Sequence, residues 1–72
     1  RMTVRRRRKR VVAAGDWALK WAGYWLVAFD EDQMGVHASW SESPQSAIMG
    51  GRDAMTRIAA LIPRPVSLVA AG

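Results

Sequence analysis

Asp16-Trp17-Ala18-Leu19-Lys20-Trp21-Ala22-Gly23-Tyr24-Trp25-Leu26-Val27-Ala28-Phe29 is the stretch on which the fold of this 72-residue chain turns. Two periods compete in it. Alternation sets Trp17, Leu19 and Trp21 on one face, with Ala18, Lys20 and Ala22 opposite. After Gly23 it resumes, with Trp25, Val27 and Phe29 on one face and Tyr24, Leu26 and Ala28 on the other. Aromatic and β-branched residues at period two, split by the turn-capable Ala22-Gly23, predict a β-hairpin over 16–29. The rival is one helix, on which Asp16, Lys20 and Gly23 form a polar stripe and Asp16 faces Lys20 across a turn. Gly23 in mid-helix would cost about 1 kcal/mol, and the Trp, Tyr, Val and Phe content disfavours a helix further.

Beyond the hairpin, Asp30 to Gly35 has the composition of a connecting loop. Val36, Ala38 and Trp40 then alternate with His37 and Ser39, which predicts a third strand over 36–41. Ser43 can cap a helix and Pro44 suits a first helical position. From there Ile48, Met55, Ile58 and Ile62 repeat on one side, giving an expected helix over 44–62 with a weak point at Gly50-Gly51. That pair would kink the helix, split it, or let its backbone approach a tryptophan. Pro63-Arg64-Pro65 ends the helix, and Val66 to Val69 reads as a short edge strand or as a tail for a partner. The expected fold is α+β: a three-stranded antiparallel sheet (hairpin 16–29 plus strand 36–41) packed by one C-terminal helix (44–62), with a flexible basic N-terminal arm. The organisation follows as arm 1–10, a β-β-β-α domain 11–63 and a tail 64–72.

Charge is unevenly distributed. The chain has 11 Lys and Arg against 6 Asp and Glu. Arg1, Arg5, Arg6, Arg7, Arg8, Lys9 and Arg10 put seven of the positive charges in the first ten residues, with no acid among them. From Val11 onward only Lys20, Arg52, Arg57 and Arg64 are basic, against all six acids. Cysteine is absent, which removes disulfides, thiolate metal sites and thiol redox chemistry. A domain this small needs an unusual core or a partner. The four tryptophans supply large rings for a core, to which Trp17, Trp25 and Trp40 are assigned.

The inventory for catalysis is thin. Asp30, Glu31 and Asp32 are the one run of carboxylates, but they lack the alternate spacing of a calcium loop. The lone His37 has no identified acid or nucleophile partner. Gly50-Gly51-Arg52 lacks the length and the Lys-Ser/Thr pair of a phosphate loop, and no serine sits in a nucleophile elbow. The expectation is a non-enzymatic protein with no cofactor and no metal site. The apolar run from Val11 to Phe29 is interrupted by Asp16 and Lys20, so no membrane span is expected and the location is taken as intracellular, cytoplasmic or nucleoid-associated.

Function is therefore expected from binding. Arginine forks match phosphate oxygens and enter the narrow minor groove. Arg5, Arg6, Arg7, Arg8, Lys9 and Arg10, with Lys20 in the body, are the expected nucleic-acid contacts, and either DNA or RNA fits. Trp21 and Tyr24 are the rings expected to remain exposed for a base or a partner. The alternative is a protein-binding module, a small inhibitor or assembly subunit whose basic arm lies in an acidic groove; an oligomer fits either case.

The order of basic arm, strand, Gly23-Tyr24-Trp25 strand, third strand and helix from Pro44 resembles the small three-strand-plus-helix DNA-binding domains at the N-termini of phage-type tyrosine recombinases. That resemblance implies a sheet that enters the major groove with basic side chains. Here the sheet carries Lys20 and then Asp30, Glu31 and Asp32, the opposite sign, so the likeness is one of layout.

Overall fold

The hairpin is present, and its turn is tight. In the computed structural model, which describes the backbone of residues 2–4 and residues 15–71 in full, strand β2 (Trp17–Trp21) and strand β3 (Tyr24–Asp32) are joined by Ala22 and Gly23 alone. Both turn residues have positive φ, 49° and 85°. That handedness matches the twist of the flanking strands. Glycine adopts it freely, whereas alanine adopts it against its Cβ. The first strand, β1 (Met2–Val4), pairs antiparallel with Phe29 to Glu31, far from this turn. Residues 1, 5–14 and 72 lie outside the described residues, and with them the remainder of the expected arm.

Strand β4 (Gly35–Ser41) lies antiparallel to β3 along nearly its whole length. The acidic stretch expected as a loop is mostly strand: β3 runs on to Asp32, and only Gln33 and Met34 form the turn. Asp32 makes that short connection possible by accepting the Met34 N–H at 2.8 Å, a side-chain substitute for a backbone turn bond.

Val27 decides which face of β3 is inside. The ladder pairs Leu26 with Trp40 and then Ala28 with Ser39, so Val27 is an extra residue in a β-bulge. The bulge shifts the alternation by one. Leu26 and Phe29, three apart, are both buried, while Trp25 and Val27 are not. The expected inward set of Trp25, Val27 and Phe29 is corrected accordingly, because strict period two ends at Val27.

The body's sheet has four strands rather than the expected three. Ser67–Ala70 forms β5, which pairs with β2 from Trp17 to Lys20. The order is β4-β3-β2-β5, with β1 sharing the β2 side of β3. β2 and β3 pair directly only at Lys20↔Trp25 and Trp21↔Tyr24. They then splay, and the chain around Ile48 to Gly50 fills the gap. The Ile48 N–H donates to the Leu26 carbonyl at 2.9 Å, and Gly50 exchanges two backbone bonds with Trp17 at 2.7 and 3.1 Å. These bonds explain why the expected helix over 44–62 is shorter. Pro44–Ser46 makes one 3-10 turn, Ala47 and Gly51 are extended, and helix α1 spans Arg52–Leu61. Gly50-Gly51 thus splits the predicted helix, and the freed backbone is satisfied by the strands it joins.

Helix α1 packs over β2 and β5. Leu19, Leu26, Phe29, Ile48, Met55, Ile58 and Ile62 form the core beneath it. Each side chain fully buried there contributes roughly 1.5–3 kcal/mol. Trp17 and Trp40 pack against this core but are only half-buried. Trp25 lies on the other face, paired with Lys20, so the tryptophan-based core expected from composition is an aliphatic core with one phenylalanine. Among the described residues no helix is long and apolar enough to cross a membrane.

Candidate functional site

The helix roofs only part of the sheet. At about 1.5 Å per residue its ten residues span about 15 Å, and they lie over β2 and β5. On the β4 side, among the described residues, the same face meets the chain leaving the helix. Between them is a shallow depression of about 160 Å³, lined by Val36, Ala38, Trp40, Ile62, Pro63 and Arg64. This is well below the roughly 300 Å³ at which small-molecule sites begin.

Aromatic rings continue the depression toward the hairpin turn. Trp21 meets Trp40 edge-on, with ring centroids 5.4 Å apart. It meets Tyr24 on its other flank at 6.2 Å, tilted by 35°. Tyr24 is 40% exposed, and among the described residues only it and Met34 are large exposed apolar side chains. Arg64 lays its guanidinium 4.8 Å from the Trp21 ring centre. Of the two rings expected to be exposed, Tyr24 is and Trp21 is half-buried beside it; the structure adds Trp40 and Arg64 to them. Trp40, expected in the core for its large ring, packs against the core but is only half-buried. Arg64 lay in a stretch legible only as a helix stop.

Lys20 sits on the opposite face of the same hairpin, its Nζ 5.0 Å from the Trp25 ring centre. Arg52 repeats the arrangement at the start of the helix, 5.4 Å from the Trp17 ring. Three of the four cations after Val11 thus lie over a tryptophan, Arg57 being the fourth. Cation–ring pairs of this kind contribute about 0.5–1 kcal/mol at exposed positions. They also keep the positive heads at the surface, where an anion can reach them.

The acids occupy the other end of the sheet. Trp25 and Asp32 are seven residue steps apart along β3, roughly 20 Å at strand rise. Asp30, Glu31 and Asp32 alternate faces along a strand. Among the described residues no three His, Asp or Glu side chains group as a metal site would require. His37, expected to have no acid partner, has one: its Nε2 lies 3.1 Å from the Asp32 carboxylate. This hydrogen bond, aided by the Met34 N–H, holds the Asp32 carboxyl below the usual carboxylate range. Both partners are well exposed, at 54% and 38% of their side chains, so the pair is a surface clasp on the β3–β4 turn.

The expected contacts Arg5, Arg6, Arg7, Arg8, Lys9 and Arg10 lie outside the described residues. Val4 and Gly15, which bracket them in sequence, are both placed on the fold, Val4 opposite Phe29 in the middle of β3. No family model, no curated protein and no solved structure matches this chain.

Proposed function

We propose that this chain is a small non-enzymatic nucleic-acid-binding protein, whose Arg5 to Arg10 segment binds the phosphate backbone while the sheet-and-helix body supplies shape. One observation carries this reading: seven positive charges and no acid in the first ten residues, on a body whose remaining charge is slightly acidic. A segment of this kind gains affinity by releasing counterions condensed on the nucleic acid.

The test compares the full chain with a variant in which Arg5, Arg6, Arg7, Arg8, Lys9 and Arg10 are all replaced by Gln. Substitution is preferred to deletion because Met2–Val4 is part of the sheet. Fluorescence anisotropy with labelled DNA and RNA at low salt should give micromolar or tighter binding for the full chain, and little for the variant. Equal binding by both proteins would remove the segment from the mechanism. Absence of binding by either would favour the alternative, a protein-binding module whose basic segment lies in an acidic groove, to be sought by pull-down.

A further inference from the structure

We propose that the hairpin end of the sheet is a stacking site for unpaired bases, so that the chain prefers single-stranded nucleic acid to duplex. The proposal rests on the nucleic-acid reading above and adds to it the strand type and the residues that choose it. Tyr24 is the outermost ring of a continuous aromatic surface, with Trp21 6.2 Å behind it and Trp40 beyond. A ring 40% exposed at the first position of a strand, next to a two-residue turn, is open to a flat ligand from outside the sheet. A nucleic acid offers a π-face to such a ring where its bases are unpaired, because in a duplex both faces are covered by neighbouring pairs.

Two cations flank this surface. Arg64 lies over Trp21 on the helix side, and Lys20 lies over Trp25 on the other side of the same hairpin. A phosphate beside a base stacked on Tyr24 would find Arg64 on the same face of the hairpin, over the neighbouring Trp21. The depression behind the rings is apolar on its floor, at Val36, Ala38 and Trp40, and too small for a cofactor.

The experiment uses the full chain, the conservative variant Tyr24→Phe, and the variants Tyr24→Ala and Arg64→Gln. All four are titrated with oligo(dT) of about 15 nucleotides and with a duplex of equal length, following anisotropy and intrinsic tryptophan emission. Thermal melts confirm that the exposed Tyr24 can be changed without unfolding the domain. Tyr24→Ala should weaken single-strand binding about fivefold to hundredfold, the range seen when a stacking ring is truncated. Tyr24→Phe should bind as the parent does, Arg64→Gln should weaken binding severalfold, and duplex affinity should barely change. Oligo(dT) should quench the tryptophan emission. Unchanged oligo(dT) affinity in Tyr24→Ala and Arg64→Gln, with loss of affinity in the six-Gln variant, would overturn the stacking site and leave the basic segment's role intact. No binding of either oligonucleotide at low salt would overturn the nucleic-acid reading itself. Quenching by a proline-rich peptide, with no response to oligo(dT), would assign the aromatic surface to a protein ligand and overturn the proposal.

Discussion

Truncating Leu26 and Val27 in turn separates two descriptions of β3. If the strand alternated regularly, Val27 would share the inward face with Phe29, and Leu26 would face out. With the bulge at Val27, Leu26 is fully buried and Val27 only partly so. Leu26→Ala removes a fully buried side chain in contact with the core and should cost about 2–5 kcal/mol, the lower values applying if the wedge around Ile48 collapses into the space. Val27→Ala removes two methyl groups that are already half in water, about 1 kcal/mol. A domain of 72 residues has a total stability of about 4–11 kcal/mol, so the first change consumes a large fraction of it. Urea unfolding followed by circular dichroism, with a slope of about 1 kcal/mol per molar for a chain this small, should move the midpoint by about 2 M or more for Leu26→Ala. The shift for Val27→Ala should be about 1 M or less. Equal shifts, or a larger one for Val27→Ala, would refute the bulge and the core built on it.

The turn residues offer a stabilising change: Ala22 has φ 49°, so Ala22→Asn, giving the Asn-Gly pair this turn favours, should add about 0.5–1 kcal/mol and raise Tm by several degrees. Gly23→Ala, at φ 85°, should instead lose about 1 kcal/mol. Gly50→Ala should be tolerated, because its φ is ordinary and a Cβ there would meet only the flexible Met55 Sδ at 3.5 Å; calorimetric melts of the two glycine variants should separate clearly. Asp32, held below the usual carboxylate range by His37, contributes stability above the unfolded value of about 3.9 and loses it as pH falls through the lower folded value. Carboxyl NMR titration should show His37→Ala raising the Asp32 pKa toward that ordinary value, and an unmoved titration would mean that the Met34 N–H alone is responsible.

Much of the fold was legible because it rests on local chemistry. Ala22-Gly23 between two aromatic runs predicted the hairpin, and Ile48, Met55, Ile58 and Ile62 predicted the buried side of the C-terminal segment. What escaped depended on contacts between distant residues. Nothing around Val27 marks a bulge, so its phase shift, and with it the outward position of Trp25, appears only when β4 is laid alongside. The loss of helix from 47 to 51 follows from backbone bonds with Trp17 and Leu26, which residue spacing cannot anticipate. The candidate surface was half visible. Tyr24, expected to be exposed, is; Trp21, expected exposed with it, is half-buried against Tyr24 and Trp40, and Trp40 joins them because the helix packs on β2 and β5. Arg64 joins them through its guanidinium over the Trp21 ring, a contact between residues far apart in sequence.

The central claim concerns the basic segment, and the salt dependence of its binding tests it most directly. Affinity for a single-stranded oligonucleotide should be measured by anisotropy from about 50 to 200 mM salt, for the full chain and the six-Gln variant. If the six cations from Arg5 to Arg10 contact phosphates, log K should fall against log salt with a slope of about −4, and the variant should lose most of that slope. A shallow slope shared by both proteins, or binding that persists undiminished without these charges, would contradict the account.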